Sequence, residues 1–236
     1  MWRANFKNQE IVYQIRMRRE IITTSDGSTT IHLPDWEEHY HSKHGAIQEA
    51  KHVFIKNGLS LFNNKSIAIL EIGFGTGLNT FITFLEAKSL HTFIAYVGVE
   101  AYPVSEDEIA SMNYVKELNA EAETAVFEKM HSCLWEEKIV ISDRFNLTKR
   151  KQFFEEIDDT EKFDLIYFDA FGYRVQPELW STTIFQKMYN ALKPKGILVT
   201  YAARGVVKRS MIEVGFIVEK LAGPPGKREM FRATKN

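Results

Sequence analysis

Residues 66–84 read Ser66-Ile67-Ala68-Ile69-Leu70-Glu71-Ile72-Gly73-Phe74-Gly75-Thr76-Gly77-Leu78-Asn79-Thr80-Phe81-Ile82-Thr83-Phe84. The apolar run from Ile67 to Ile72 has the length and composition of a strand buried on both faces. Glycines follow at alternate positions, 73, 75 and 77, and then Leu78, Phe81, Ile82 and Leu85 recur at helical spacing. A strand, a tight glycine turn and a helix in this order form a nucleotide-type cofactor site. Glycine lets the backbone turn sharply and lets a ligand approach with no Cβ in the way. The helix N-terminus adds free N–H groups.

The spacing discriminates between cofactors. A dinucleotide fingerprint, G-x-G-x-x-G, needs a third glycine to pack helix on strand, and Leu78 stands at that position. The pattern here is Glu71-x-Gly73-x-Gly75-x-Gly77. An acid at the strand end repels a pyrophosphate and suits a ligand carrying an ammonium group. S-adenosyl-L-methionine has such a group and a positive sulfonium, and E-x-G-x-G-x-G resembles motif I of the class I methyltransferases. Gly73, Phe74, Gly75, Gly77 and Asn79 then form the cofactor loop.

The remaining chain fits an α/β fold. At 236 residues and 44% hydrophobic content it can bury one substantial core. The expected division is an appendage over 1–60 and a Rossmann-like domain over 61–236. Residues 11–32 read as a hairpin, with strands at Ile11–Ile15 and Glu20–Thr23, turn chemistry at Ser25-Asp26-Gly27-Ser28, and Thr29–His32 after it. Ile47, Ala50, Val53 and Phe54 then share a helical face. His39, His41 and His44 lack a carboxylate or thiolate at ligand spacing, so a segment covering the cofactor is expected there rather than a metal site. The single cysteine, Cys133, excludes an internal disulfide framework. No apolar run has membrane length and no basic-then-apolar leader is seen, so a soluble, cytoplasmic, monomeric protein with no membrane contact is expected.

Further strands are expected at Thr92–Val99, Lys138–Ile141, Lys162–Phe168, Ile197–Tyr201, Phe216–Glu219 and Met230–Ala233, giving a mostly parallel seven-stranded sheet. Helical patterns fill 105–118, 120–130 and 204–214. Glu100 closes the second strand, where a carboxylate grips a ribose diol. Asp143 closes the third and is placed to accept from an adenine amino group. Asp169 ends the fourth strand, beside the first at the switch point of a doubly wound sheet. A carboxylate there can contact the cofactor, orient an amine nucleophile and take its proton, while Phe171, Tyr173 and Trp180 offer aromatic faces to a planar base or a cation. Net charge is −1, but its distribution is uneven: residues 100–137 hold ten acids and two lysines, and residues 193–236 hold ten Lys/Arg and three acids. Such asymmetry suggests a basic face, to which Lys227 and Arg228 belong.

Three stretches together resemble one family, the methyltransferase half of MnmC and its free-standing form, MnmD. They are Gly73-Phe74-Gly75-Thr76-Gly77-Leu78-Asn79, then Phe168-Asp169-Ala170-Phe171 with Pro177 and Trp180, and finally Gly223-Pro224-Pro225-Gly226-Lys227-Arg228-Glu229-Met230. Departures are Ala170 for the usual glycine, Gln176 for asparagine, and the Pro224-Pro225 pair. The resemblance implies S-adenosyl-L-methionine-dependent methylation of the 5-aminomethyl group of wobble (2-thio)uridine in the tRNA anticodon stem-loop. It further implies a separate upstream enzyme that supplies the aminomethyl group, because the 236 residues leave no room for the flavin oxidoreductase half. The base must leave its stack to reach a buried donor, so Phe171, Tyr173 and Trp180 are expected to frame it.

Two other classes compete. One is a class I methyltransferase or aminopropyltransferase acting on a free small amine; dependence on folded tRNA separates the two. The other is a tRNA-binding module without activity, which the acids Glu71, Glu100 and Asp143 disfavour, since a dead pocket has no reason to keep buried carboxylates. A dehydrogenase is disfavoured by Leu78.

Overall fold

The computed structural model describes residues 17–236; the strand expected at Ile11–Ile15 lies outside them. The chain begins with a three-stranded antiparallel sheet, β1 (Glu20–Thr23), β2 (Thr29–Leu33) and β3 (Glu38–His39). The β1–β2 turn is held by Asp26 and Thr24: the Ser28 backbone N–H donates to Asp26 Oδ1 at 3.2 Å, and Thr24 Oγ1 donates to the same oxygen at 2.8 Å. Helix α1 (Ala46–Ala50) follows and widens into a π-helical turn over Lys51–Lys56. Its expected apolar face, Ile47, Ala50, Val53 and Phe54, is buried.

The main sheet contains β4 (Ser66–Ile72), β5 (Phe93–Val99), β6 (Lys138–Ser142), β7 (Phe145–Arg150), β8 (Phe163–Phe168), β9 (Leu192–Thr200), β10 (Ile217–Ala222) and β11 (Glu229–Thr234). Their spatial order is β10-β11-β9-β8-β4-β5-β7-β6. The five central strands β9, β8, β4, β5 and β7 run parallel, and both edges are completed by antiparallel pairs. One face is covered by α1, α2 (Leu78–Ser89) and α5 (Thr124–Ser132), reached through the short helices α3 (Glu106–Ala110) and α4 (Tyr114–Glu117). The other face carries α6 (Thr182–Ala191) and α7 (Gly205–Glu213). Ser105 caps α3 in a capping box with Glu108, which satisfies two N-terminal donors at once. This is the class I methyltransferase fold with an antiparallel appendage.

One strand more is present than the seven expected. The addition is β7, Phe-Asn-Leu-Thr-Lys-Arg, which lacks an apolar run because Asn146 and Lys149 are buried as polar residues. Lys149 is accommodated by donating its ammonium to the His131 carbonyl at 2.6 Å and resting over Trp135, 4.9 Å from the ring centroid. The consequence is topological. The segment read as the third parallel strand, β6, is an antiparallel edge strand, and its neighbour β7 takes the place beside β5, parallel to it.

The chain steps outward from β4 through β5 to β7 and then returns to β8, on the other side of β4. The crevice at the carboxyl ends of β4 and β8 is therefore the switch point at which open α/β sheets bind ligands.

Candidate active site

At that crevice the β4 turn and the β8 turn touch through backbone. The Asp169 N–H donates to the Ile72 carbonyl at 3.0 Å. A Cβ on Gly73, which sits at φ +90°, would stand 2.7 Å from the Asp169 carbonyl oxygen, so only glycine allows the approach. Gly75 is also left-handed, at φ +50°, and its Cβ position faces the Tyr40 ring at 3.3 Å. The loop is tied to β5 as well: the N–H groups of Gly73 and Phe74 both donate to the Val99 carbonyl at 3.0 Å.

Above these turns lies a cavity of about 350 Å³, within the size range of small-molecule sites. Of the expected residues, Gly73, Phe74, Gly75, Asn79, Glu100, Asp169 and Phe171 border it. The Glu100 carboxylate accepts from Gly75 N at 3.0 Å through Oε2 and from Tyr102 N at 2.9 Å through Oε1. It is thus fixed at the tip of β5 beside the glycine loop. Burial pushes its proton affinity up, and these backbone N–H bonds pull it back down.

Asp169 accepts from Asn79 Nδ2 at 2.8 Å. Its exposure is to the cavity, and burial raises its pKa from the usual carboxylate value to about 7. The charge of Glu49 adds to that rise, while the Asn79 bond and Lys227 oppose it. Asn79 Oδ1 is buried with no hydrogen-bond partner in the protein, an acceptor held ready for a donor such as an ammonium group. Glu71 sits beneath the loop rather than in the cavity. It is fully buried, its Oε2 accepts from Thr80 Oγ1 at 2.9 Å, and Tyr96 and Asn79 stand beside its carboxyl. Burial lifts its pKa from the usual carboxylate value to about 8. Glu71 is absent from the cavity lining, where the motif leads one to expect an acid facing the ligand.

Several expected residues are elsewhere. Asp143 lies in the β6–β7 turn, at the start of β7, whereas the cavity is at the end of that strand. The structure therefore corrects the adenine-acceptor assignment, and the cause is the misplaced third strand. The true strand end is followed by Phe153, Phe154 and Glu155, which do line the cavity; nothing in a strand without an apolar run flags them. Gly77 forms the N-cap of α2 and is packed on His131. Phe74 borders the cavity while its ring packs against His131 and Trp135.

Trp180 is fully buried, and its Nε1 donates to the Phe171 carbonyl at 2.8 Å. It shapes the turn after β8 and has no face to offer a base. Tyr173 lies outside the cavity lining, under the Arg204 guanidinium at 5.7 Å. Lys227 is paired with buried Glu49, which removes it from the free basic surface; Arg228, 94% exposed, remains on it.

The N-terminal sheet roofs the cavity. His39, Tyr40 and His41 line it, as a covering segment should, and Phe171 meets Trp36 and Tyr40 edge-on at 5.7 and 5.1 Å. The histidines have separate structural partners: His39 stacks on His32, His41 bonds Thr30 Oγ1 at 3.1 Å, and His44 packs on Gly226. Among the described residues no group of three or more His, Cys, Asp or Glu is gathered to hold a metal ion, and no helix is long and apolar enough to cross a membrane.

The residues present fit S-adenosyl-L-methionine: a carboxylate at the β5 tip for ribose hydroxyls, a Cβ-free cradle at Gly73 and Gly75, and the orphaned Asn79 oxygen for the amino group. Comparison with known proteins agrees. The chain is 26% identical to the tRNA 5-methylaminomethyl-2-thiouridine biosynthesis bifunctional protein MnmC of Hydrogenovibrio crunogenus, over 90% of this chain and 33% of that protein. It is 30% identical to the protein of the same name from Idiomarina loihiensis, over 83% of this chain and 35% of that one. The chain thus spans about a third of the length of these curated relatives. The crystal structure of MNMC2 from Aquifex aeolicus superposes with a TM-score of 0.75 at 22% identity, covering 94% of this chain and 71% of that one, and shares the fold. The sequence profile of a family described as S-adenosyl-L-methionine-dependent methyltransferase matches residues 117–236. The chain belongs to that family, related to the tRNA-modifying MnmC, and its methyl donor is S-adenosyl-L-methionine.

Proposed function

We propose that this protein methylates the 5-aminomethyl group of wobble (2-thio)uridine in tRNA, giving the 5-methylaminomethyl nucleoside. The observation that carries the reading is Asp169, a cavity carboxylate at the switch point whose pKa near 7 matches proton exchange with an amine near neutral pH. The names of the relatives supply the substrate class. A reaction that leaves a primary aminomethyl group on the uridine must come first.

S-adenosyl-L-methionine supplies an electrophilic methyl on its sulfonium. Glu100 would hold the ribose hydroxyls, Asn79 and the Gly73–Gly75 turn would hold the amino acid end, and Phe153 and Phe154 would border the adenine. The incoming amine arrives largely as an ammonium ion, which has no lone pair. The Asp169 carboxylate attracts it, aligns it toward the donor methyl and takes one proton, leaving the amine neutral. The neutral amine would then be held in line with the sulfonium, which would supply the methyl group and leave as a thioether, and the methylated ammonium would lose its second proton to solvent. Holding both reactants in line supplies several kcal/mol of the barrier. Phe171, braced by Trp36 and Tyr40, is the aromatic wall for the extruded base. Exposed Arg204, Arg209 and Arg228 form the basic footprint for phosphate.

Glu100→Ala should weaken S-adenosyl-L-methionine binding by about 1.5–3 kcal/mol, the scale of hydrogen bonds to a charged group. Calorimetry on the folded variant checks it, and unchanged affinity removes Glu100 from the cofactor site. Affinity for tRNA should fall steeply with added salt as counterions are released. The double charge reversal Arg204→Glu with Arg228→Glu should weaken tRNA binding and spare cofactor binding; filter binding at two salt concentrations reads both effects.

Asp169→Asn should cut single-turnover methyl transfer to aminomethyl-uridine tRNA by roughly 10²-fold at neutral pH, the scale of positioned acid–base help. In the wild type the active base is the carboxylate, so the rate should rise with pH through about 7. In the variant that inflection should vanish, and higher pH should partly restore the rate because more amine is already neutral. Near-wild-type rates at saturating donor would mean that Asp169 only binds the cofactor.

A further inference from the structure

Beside Asp169 lies an ion pair, with Glu49 buried and Lys227 32% exposed, that the reaction above does not use. Glu49, on α1, is 6% exposed. Its Oε1 is bonded to Lys227 Nζ, and its Oε2 accepts from the Ser42 backbone N–H at 2.9 Å. Lys227 belongs to the β10–β11 loop, and its Nζ stands 3.8 Å from the centroid of the Tyr201 ring. Tyr201 follows β9, lines the cavity, and donates its hydroxyl to the Ala170 carbonyl at 2.8 Å. Ala170 is the residue after Asp169. Contacts therefore run unbroken from the N-terminal roof, through Glu49, Lys227 and Tyr201, to the turn that carries Asp169. The loop is held against the roof at a second point, where left-handed Gly226 packs on the His44 ring.

Stability gives little reason for such a pair. Desolvating two charges offsets most of their attraction, and apolar residues of similar volume do as well or better. Its place in the chain of contacts gives a reason. We propose that the Glu49–Lys227 pair is a positioning unit for Asp169, seating the Asp169–Ala170 turn through Tyr201 and balancing the charge around the Asp169 carboxylate. The proposal rests on the reading of Asp169 as the group that receives the amine's proton.

Five groups face Asp169. Glu49 from α1 favours its protonated form, whereas Lys227 from the β10–β11 loop and the Asn79 bond from α2 favour the carboxylate. Glu71, on β4, and Tyr201, after β9, each feel the Asp169 charge in turn. The two members of the pair thus act on Asp169 with opposite sign.

The test is a pH titration of the Asp169 side-chain carboxyl by carbon-13 NMR on the full chain labelled at aspartate, with Asp169→Asn assigning the signal. Glu49→Gln should move the midpoint to lower pH and Lys227→Met to higher pH, each by about half a unit or more. Unchanged midpoints, or shifts of the same sign, overturn the proposal. If one single variant fails to fold, the other still reports its sign. The double variant Glu49→Gln with Lys227→Met leaves no unpaired buried charge. It should keep a midpoint closer to wild type than either single variant, yet lose about tenfold or more in single-turnover methyl transfer at saturating donor, because the turn is no longer seated. Wild-type transfer by the folded double variant also overturns it. The titration needs no RNA, so opposed shifts in a protein that fails to methylate tRNA would uphold the pair's effect on Asp169 while rejecting the substrate.

Discussion

The backbone contact between Gly73 and Asp169 is the constraint on which the site depends. It joins the first and fourth parallel strands of the doubly wound sheet at their carboxyl ends, with no room for a Cβ between them. Because Gly73 is left-handed and Asp169 donates its N–H to Ile72, the glycine loop and the Asp169 carboxylate share one rigid junction. Everything else at the site is hung from it. Glu100 reaches the loop from β5, Asn79 reaches Asp169 from the first turn of α2, and Tyr201 props the next residue from β9.

Three carboxylates close to this junction differ in state because their surroundings differ. Glu71 is fully buried, with Thr80, Tyr96 and Asn79 around its carboxyl, and burial lifts its pKa to about 8. Burial raises the pKa of Glu100 too, against two backbone donors that favour its anion. Asp169 lies between them, with one amide donor, an opposing carboxylate and an ammonium nearby, and is balanced near neutrality. A group balanced in that way can exchange a proton with an amine; a fully ionised or fully neutral one cannot do so in both directions.

Much of this was legible in the residues. The strand–glycine–helix unit over 66–84, the acid closing β5 and the acid–aromatic turn after β8 each combine a local pattern with a place in the topology, and each borders the cavity. The failures have one physical root: burial inverts the usual meaning of a side chain. The strand β7 escapes the sequence because Asn146 and Lys149 are buried polar residues, Lys149 held by the carbonyl of His131, and Asp143 is misplaced with it. Lys227 reads as surface charge until Glu49, 178 positions away, is found to hold it. Trp180 reads as a base platform until its indole is seen closing the Phe171 turn from the core. Long-range partners of this kind leave no periodicity in the chain.

The central claim is that a tRNA nucleoside carrying a primary aminomethyl group is the methyl acceptor. Nucleoside analysis by mass spectrometry of tRNA from cells lacking this protein tests it most directly. Accumulation of the 5-aminomethyl nucleoside, with loss of its methylated product and recovery on re-expression of the intact protein but not of the Asp169→Asn variant, is the result the account predicts. An unchanged profile of wobble nucleosides in the deletion strain would contradict it.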